Sequence, residues 1–295
     1  MPCAVRVRVP AKVNLHLAVQ PPRRDGFHDL HTVFSAVSIY DDLTAREAAR
    51  TSLSVTGLHD GVPDDERNLA WRAAALLAHR GGRDPRVALE LHKRIPVAGG
   101  MAGGSADAAA ALLACATLWA VDADLPALAA RLGSDVAFPL LGGTAVGTGR
   151  GEVLTAVPSA QLHWVFVPAG FGIGAGEAYR ELDRLRAQGS APPPAGPPDA
   201  LLRALPRGDP DEVGALLHND LQPAALALAP GLGDTLAAGR SAGAVAGIVS
   251  GSGPTCAFLC RSAEHAGAVA DALTDFSGQG VPLRAAGPVP GATVY

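Results

Sequence analysis

The sequence predicts an α+β protein with two domains. Strand-like and helix-like segments mix along its 295 residues without the regular strand–helix alternation of a doubly wound parallel sheet. A chain of this length forms one large domain or two ordinary ones. Its 48% hydrophobic and 18% charged residues are typical of a globular protein with a substantial core.

The first third of the chain is predicted to be mostly strands. Alternating apolar residues indicate strands at 4–9 and 13–19, joined by Pro10-Ala11-Lys12, and at 32–39, 53–56 and 87–91. Apolar residues at helical spacing predict a helix at 68–79, which Gly81-Gly82 ends. The short strand at 53–56 is predicted to lie at a sheet edge.

A glycine-rich loop at 96–104 leads into a strong helix at 105–119. Ser105 is predicted to cap this helix, and Asp107 to place negative charge in its first turn. A short helix at 125–132 and a turn-rich stretch at 142–151 follow. A second region begins near residue 156. It is predicted to start with a strand at 163–167, an amphipathic helix at 177–188 and a stiff exposed loop at 189–198. Two helices follow, then strands at 244–249 and 255–259 around a turn, and a helix at 263–273.

Charge and cysteine usage exclude several functions. The formal charge of −4 without a Lys/Arg run argues against nucleic-acid and membrane-surface binding. The longest apolar stretch, 108–121, is too short to span a bilayer, and the start of the chain has a strand pattern rather than that of a signal peptide. The cysteines are predicted to be buried thiols in a reducing cytoplasm: Cys3, Cys115, Cys256 and Cys260.

Two residue types are conspicuously rare. Lys12 and Lys93 are the only lysines, and Asn14, Asn68 and Asn219 the only asparagines. A lysine kept in an arginine-rich chain indicates a place where a planar guanidinium cannot replace a compact ammonium, although two lysines could also be chance.

The segment from Pro96 to Ser105 is the strongest candidate for a binding loop. Its small residues let the backbone approach a ligand, and it feeds into a helix N-terminus, which attracts phosphate. It is neither a Walker A loop nor a dinucleotide-binding fingerprint, because the required lysine and spacing are missing. The residues alone leave a flexible loop without chemistry almost as plausible.

Other segments are ambiguous alone. Asp135, after Gly133-Ser134, is either a general base or an ordinary turn residue. Lys12 and Asn14 share one strand face, and 251–255 is either a second backbone clamp or a tight turn. The G-x-S-x-G match at 239–243 lacks the strand–turn–helix context of a nucleophile elbow, and the histidines predict no metal cage.

Taken together, the segments resemble the GHMP small-molecule kinases, and within them the group that phosphorylates 4-diphosphocytidyl-2-C-methyl-D-erythritol. The matching blocks occur in the family's order across nearly the whole chain, and RRDGFHDLHTV is the block that distinguishes this group. The blocks are VRVPAKVNLHLAV, RRDGFHDLHTVFSAVSIYDDL, ERNLAWRAAALL, KRIPVAGGMAGGSADAAAALL, LGSDVAFPLLGGTAVGTGRGEVL, HNDLQPAAL and SGSGPTCAFL.

The resemblance implies an amino-terminal domain at 1–155, similar to the second domain of ribosomal protein S5, and a ferredoxin-like domain at 156–295. ATP, with Mg²⁺, and a small-molecule substrate would meet in the cleft between them. The γ-phosphoryl group would move to the 2-hydroxyl of 4-diphosphocytidyl-2-C-methyl-D-erythritol. Asp135 would take the hydroxyl proton, and Lys12 would balance charge on the attacking oxygen.

The resemblance also assigns binding residues. Asn14, Phe27, His28 and Tyr179 would bind the substrate, with the base between Phe27 and Tyr179 and hydrogen-bonded to His28. ATP would be bound by Asn68 and Lys93 near the adenine and by the loop positions Pro96, Val97, Ala98, Gly99, Gly100, Met101, Ala102, Gly103, Gly104, Ser105 and Ala106. No residue is assigned as a metal ligand.

Three positions depart from the usual family pattern. Ala102 stands at a position that is usually glycine and would be strained by about 1–2 kcal/mol if its φ were positive. Ala106 lacks a hydroxyl that could touch phosphate or metal, and Phe27 replaces a more frequent tyrosine.

Three alternatives remain at this point. They are a sister kinase for mevalonate-type, homoserine or sugar substrates, a catalytically inactive nucleotide sensor, and a serine hydrolase built on Ser241.

Overall fold

Two β-sheets and ten helices make up the part of the chain that the computed structural model describes, residues 3–274 and 280–295. The strands are β1 (Val5–Pro22), β2 (His28–Glu47), β3 (Ser52–Gly57), β4 (Val87–Lys93), β5 (Thr144–Thr148), β6 (Val153–Ala156), β7 (Leu162–Val167), β8 (His218–Asn219), β9 (Ala246–Val249), β10 (Cys256–Cys260), β11 (Leu283–Gly287) and β12 (Thr293–Val294). The helices are α1 (Leu69–Arg80), α2 (Gly103–Trp119), α3 (Leu125–Leu132), α4 (Ala137–Leu141), α5 (Ala175–Ala187), α6 (Asp199–Ala204), α7 (Pro210–Leu216), α8 (Gln222–Leu228), α9 (Gly231–Ser241) and α10 (Ala263–Thr274). The predicted α+β class is confirmed.

The larger sheet has eight strands in the described residues, with a central order β12-β1-β2-β4-β3. Strand β5 pairs with β2 and β6, and β8 pairs with β1. Strands β1 and β2 are antiparallel, with registers that run from Val5↔Ala45 to Pro22↔His28. Strand β3 lies at the edge, as the sequence predicts, and it pairs parallel to β4.

The prediction of two separate strands at 4–9 and 13–19 is wrong. Pro10 cannot donate to a strand ladder, but the pairing register shifts between Pro10 and Ala11, so this bulge accommodates the proline and β1 continues. Strand β2 is also much longer than the predicted 32–39. It includes Asp41, whose buried carboxylate accepts hydrogen bonds from Lys93, Arg94 and Ile95.

The smaller sheet has the order β11-β7-β10-β9 and is fully antiparallel. Its strands and helices follow the β-α-β-β-α-β sequence of a ferredoxin-like fold. Strands β8 and β12 leave this region and return to β1, so the two predicted domains are joined through the larger sheet. The exact boundary at 155/156 stays a prediction.

Helix α2 is buried on nearly all sides. Its alanines at 106, 108–111 and 114 are fully buried, and their small side chains let the helix pack closely against α1, β1 and β2. The predicted cap is wrong, because α2 begins at Gly103 behind Ala102, which has φ 59° and makes no side-chain cap. Asp107 lies beyond the first turn and is buried rather than facing the helix dipole in solvent.

Several smaller predictions also fail. Strand β5 lies in the stretch that the sequence predicts to be turns, helix α4 lies where no element is predicted, and residues 199–241 form four helices rather than two. Cys3 is exposed, whereas Cys115, Cys256 and Cys260 are buried as predicted. Helix α1 follows the prediction, with Asn68 as its N-cap.

Across the described ranges, no helix combines the length and apolar character that a membrane crossing requires.

Candidate active site

A cleft of about 490 Å³ opens beside the start of α2. Both predicted domains contribute to its walls. The lining residues are Lys12, Asn14, Leu17, Leu30, Phe34, Leu69, Ala98, Gly99, Gly100, Ala102, Gly103, Gly104, Ser105, Ser134, Asp135, Arg150, Ile173, Gly174, Ala175, Tyr179, Leu221, Gly251 and Ser252.

The loop at 96–104 forms one wall and is held from behind. The carbonyl of Gly100 accepts hydrogen bonds from Lys12 Nζ at 2.9 Å and Ser250 Oγ at 3.2 Å. Gly100 has φ 72°, and a Cβ there would collide with the carbonyl of Ser250, so this position requires glycine. The loop is therefore fixed against the turn that follows β9.

The N-terminus of α2 points its free donors into the cleft. The first hydrogen bond of the helix runs from the N–H of Ala106 to the carbonyl of the cap residue, Ala102. The N–H groups of Gly103, Gly104 and Ser105 therefore have no intrahelical partners. All three residues line the cleft, and Gly104 is exposed. Free N–H groups and the positive end of the helix dipole suit a phosphate group.

Not every predicted loop residue reaches this cleft. Pro96, Met101 and Ala106 are buried and do not line the cleft, so their assignment to ATP stays a prediction. Val97 faces a neighbouring pocket instead. Ala102 has the positive φ that the sequence identified as costly, and Ala98 has φ 50°.

Lys12 lies at the centre of a buried hydrogen-bond network. Its side chain is 5% exposed, and Nζ donates to Asn14 Oδ1 at 2.6 Å as well as to the loop carbonyl of Gly100. Asn14 in turn donates to Thr32 Oγ1 at 2.8 Å, and Thr32 donates to the carbonyl of His16. Burial lowers the pKa of Lys12 from its ordinary 10.5, and the nearby carboxylate of Asp135 partly offsets this.

Asp135 is the carboxylate of the cleft. It lies in the turn between α3 and α4, with its side chain 38% exposed and Oδ2 3.8 Å from Lys12 Nζ. The sequence predicts that these two residues act together, and the structure brings them together. A partly exposed carboxylate next to a fixed ammonium can accept a proton from a bound hydroxyl group.

The turn at 250–254 lies against the loop, and Asn219 ties it to the larger sheet. Asn219 Nδ2 donates to the carbonyls of Val249 at 2.8 Å and Gly251 at 2.7 Å, and its Oδ1 accepts from the N–H of Leu221. A Cβ on Gly251 would lie 3.0 Å from Lys12 Nζ, so the turn closes over the ammonium. The sequence marks Asn219 only by its rarity and does not assign it this role.

Of the residues predicted to bind the base, Tyr179 lines the cleft, whereas Phe27 and His28 lie outside its lining, Phe27 beside Arg150. Phe27 is 50% exposed, and Tyr179 lines the cleft and stacks on His28 with ring centroids 5.0 Å apart. Burial, and to a lesser degree Asp135, raises the pKa of Tyr179, so it stays a neutral phenol. His28 Nε2 contacts the carboxylate of Asp183 at 3.1 Å, which leaves Nδ1 as the ring nitrogen available to a ligand.

A second pocket of about 240 Å³ adjoins the cleft through Leu69, Ala98 and Gly104. Asn68 and Lys93 line it, as the predicted adenine site requires. Both side chains are already engaged, however. Asn68 Oδ1 caps α1 and Nδ2 donates to the carbonyl of Pro63.

Lys93 is part of a buried ion triad rather than a free cation. Its Nζ contacts Asp41 Oδ2 at 2.6 Å and Asp107 Oδ2 at 2.7 Å. Burial raises the pKa of Asp107 to about 8, while the cation of Lys93 opposes that shift. The triad joins β2, β4 and α2 beneath the pocket, so Lys93 shapes the floor of the pocket. No sequence pattern indicates this pairing, because both carboxylates are remote from Lys93 along the chain.

Arg150 is the cleft residue that sequence reasoning missed. It lies in the turn between β5 and β6, with its guanidinium carbon 5.1 Å from the centroid of the Phe27 ring. Its two glycine neighbours mark a turn, but nothing in the sequence indicates which way the side chain points.

Comparison with known families identifies two matching models. The model "GHMP kinases N terminal domain" matches residues 68–143, and "GHMP kinases C terminal" matches residues 201–278. The first match includes the loop at 96–104, the α2 N-terminus and Asp135, and the second includes Asn219 and the turn at 250–254.

Full-length relatives are similar over almost the whole chain. A 4-diphosphocytidyl-2-C-methyl-D-erythritol kinase from Mycolicibacterium gilvum is 55% identical over 99% of this chain and 92% of its own length. The protein of the same name from Salinispora tropica is 53% identical over 98% of this chain and 94% of its own length.

Solved structures agree on the fold. A crystal structure of 4-(cytidine 5′-diphospho)-2C-methyl-D-erythritol kinase superposes with a TM-score of 0.78 at 35% identity, covering 95% of this chain and 98% of that one. Homoserine kinase from Cytophaga hutchinsonii has a TM-score of 0.76 at 20% identity, covering 100% and 98% of the two chains, and shows the shared fold alone.

Proposed function

The chain is an ATP-dependent kinase that belongs to the 4-diphosphocytidyl-2-C-methyl-D-erythritol kinase group of the GHMP family, and on this basis we propose the reaction that its cleft performs. The γ-phosphoryl group of ATP moves to the 2-hydroxyl of 4-diphosphocytidyl-2-C-methyl-D-erythritol, in the non-mevalonate route to isoprenoid precursors, in the cytoplasm. The observation that carries the proposal is the Lys12–Asp135 pair, which lines the same cleft as the free N–H groups of α2.

The α2 N-terminus is the binding site for the ATP phosphates in this proposal. The N–H groups of Gly103, Gly104 and Ser105 point at the same space as the helix dipole, which favours an anion there. The adjoining pocket lined by Asn68, with Lys93 in its floor, accommodates the adenine. The shared wall at Leu69 and Ala98 allows one nucleotide to occupy both spaces.

Mg²⁺ would be held in this site mainly by the phosphates of the nucleotide. In the described ranges, no group of three or more His, Cys, Asp or Glu side chains is arranged to hold a metal ion. Mg²⁺ keeps several waters and binds readily to substrate phosphates with one or two protein oxygens. Ser105, at the α2 N-terminus, would be a hydroxyl ligand that fits this role, and the ion would neutralise charge on the phosphates when bound.

Asp135 takes the proton from the substrate hydroxyl. A tertiary hydroxyl is a weak nucleophile and must lose its proton as the new P–O bond forms, and a positioned carboxylate accelerates this by about 10²–10⁴-fold. Lys12 holds the carboxylate in place and stabilises charge on the attacking oxygen. Asn14 and the carbonyl of Gly100 fix the ammonium, so it needs little reorganisation.

The cytidine part of the substrate stacks at the aromatic end of the cleft. Phe27 offers a half-exposed ring to the base. Tyr179 offers a second ring, which lines the cleft. His28 supplies Nδ1 to the cytosine edge while Asp183 holds Nε2. A half-exposed phenylalanine between polar residues buries little of its ring in the protein, and base stacking accounts for it.

Coupled ADP release tests the substrate assignment. The wild-type protein is assayed with ATP–Mg²⁺ and four acceptors: 4-diphosphocytidyl-2-C-methyl-D-erythritol, the uncytidylated methylerythritol phosphate, mevalonate and homoserine. Turnover confined to the cytidylated compound is the expected result. Preferred turnover of another acceptor would overturn the substrate while leaving the kinase chemistry intact, and ATP binding without any turnover would favour a nucleotide sensor.

A further inference from the structure

The proposed reaction leaves one cation of the cleft without a role. Arg150 lines the cleft, and its side chain is 31% exposed. Among the described residues that line the cleft, Lys12 is the other cationic side chain, and its ammonium is already committed to Asn14, Gly100 and Asp135. Arg150 is therefore the cation that this cleft can offer to a ligand.

The guanidinium of Arg150 is only partly engaged. Its Nε donates to Glu152 Oε1 at 3.3 Å, and its own backbone N–H donates to Glu152 Oε2 at 2.6 Å. Within residues 3–274 and 280–295, the two terminal nitrogens donate to no protein acceptor. A guanidinium has five N–H donors in a fixed fork, so most of its hydrogen-bonding capacity remains.

The backbone fixes the turn that carries Arg150. The carbonyl of Gly149 accepts a hydrogen bond from the N–H of Leu30 at 2.7 Å. Leu30 follows closely after Phe27 in the chain. The guanidinium carbon lies 5.1 Å from the centroid of the Phe27 ring, within the range of a cation–π contact. Arg150 thus lies beside the ring that the proposed function assigns to the base.

We propose that Arg150 binds the diphosphate of the cytidylated substrate, an inference that rests on the proposed function. The substrate's diphosphate is linked to the base through one ribose, and it runs from the Phe27 end of the cleft toward Asp135. A guanidinium matches two phosphate oxygens at once, which a lysine cannot do. Phe27 then has two tasks, since it stacks on the base and also positions the guanidinium.

Steady-state kinetics of Arg150→Met test this directly. Loss of one charge-assisted contact raises the KM for the cytidylated substrate about 10- to 100-fold, while the KM for ATP stays within about 2-fold. Arg150→Lys keeps the charge but loses the forked guanidinium. Its KM for the cytidylated substrate should therefore lie between the wild-type and the Arg150→Met values. Arg207→Met is the matched control, because it also removes an Arg–Glu pair, with Glu212, outside the cleft.

Calorimetry separates a diphosphate contact from a merely structural effect on Phe27. With the ATP site filled by ADP, the probes are cytidine and cytidine 5′-diphosphate. The wild type prefers the diphosphate at least 10-fold, and Arg150→Met removes this preference while changing cytidine affinity less than about 3-fold. An equal loss for both probes contradicts the proposal, as does a lower KM in Arg150→Met, which would mean that Arg150 blocks the ring.

The two proposals fail in different ways. If the wild type turns over the cytidylated substrate and Arg150→Met leaves its KM unchanged, the role of Arg150 is wrong and the proposed function stands. If the wild type does not turn over that substrate but Arg150 still controls the preference for the diphosphate probe, the proposed function fails and the diphosphate site stands.

Discussion

The ammonium of Lys12 lies 3.8 Å from the carboxylate of Asp135. Strand β1 carries the first residue and the turn after α3 carries the second, so the pair forms only when the larger sheet and its helices are assembled. The pair is asymmetric, because Lys12 is buried within a hydrogen-bond network while Asp135 remains accessible to a substrate. That asymmetry suits a fixed cation next to a working base.

Replacement of Asp135 by asparagine removes the base but keeps the shape. We expect kcat to fall by about 10²–10⁴-fold, because the hydroxyl proton loses its acceptor. ATP affinity, measured by calorimetry, should change little, since the α2 N-terminus is intact. Asp122→Asn is the control, an exposed carboxylate outside the lining of the cleft. Wild-type turnover in Asp135→Asn would eliminate this residue as the base.

The alkaline limb of the pH–rate profile should report Lys12. Burial lowers the pKa of its ammonium, so the charged form persists at low pH and is lost as the pH rises through a value below 10.5. Activity should therefore decline as the pH rises through that lowered pKa, with the fold monitored by circular dichroism. Lys12→Arg keeps a charge across this range and should shift the limb upward. An unchanged limb in this variant would assign the titration to another group.

Phe27→Ala should weaken the binding of the cytidylated substrate and not that of ATP. Stacking of a base on an aromatic ring contributes about 1–3 kcal/mol, so the KM for the cytidylated substrate should rise roughly 5- to 150-fold while the KM for ATP is unchanged. Tyr295→Ala removes an exposed aromatic ring outside the cleft lining and serves as the control. An equal rise of both KM values would refute the stacking role.

Ala102→Gly should stabilise the protein. Ala102 has φ 59°, a conformation that costs a residue with a Cβ about 1–2 kcal/mol. Glycine avoids this strain, but its more flexible unfolded chain offsets part of the gain. The free energy of unfolding should rise by up to about 1 kcal/mol in denaturant titration. Ala120→Gly is matched, since Ala120 has φ 50° at the other end of the same helix. Destabilisation of both variants would show that these backbone conformations are not strained.

Motifs located the site better than periodicity located the elements. Lys12, Asn14, Asp135 and most of the loop at 96–104 were predicted as site residues from the sequence, and they line one cleft. Local rules failed where tertiary structure decides. Pro10 breaks a strand pattern in the sequence, yet a register shift in the pairing with β2 accommodates it. Ser105 is a good cap by residue type, but Ala102 takes the cap position because the loop is held against Ser250.

Long-range partners explain the remaining misses. The rarity of Lys93 drew attention to it, but its partners Asp41 and Asp107 come from β2 and α2, and no spacing rule connects them. Arg150 is flanked by glycines that predict a turn, whereas its direction depends on the bond between Gly149 and Leu30. Both residues became interpretable only when the sheet placed them.

The most direct test of the central claim is the position of the transferred phosphate. The product of the reaction with 4-diphosphocytidyl-2-C-methyl-D-erythritol is examined by proton-coupled ³¹P NMR. Transfer to the tertiary 2-hydroxyl gives a new phosphomonoester resonance without three-bond coupling to a proton, and Asp135→Asn gives almost none of it. A doublet, which reports phosphorylation of a secondary hydroxyl, or undiminished product from Asp135→Asn would contradict the account.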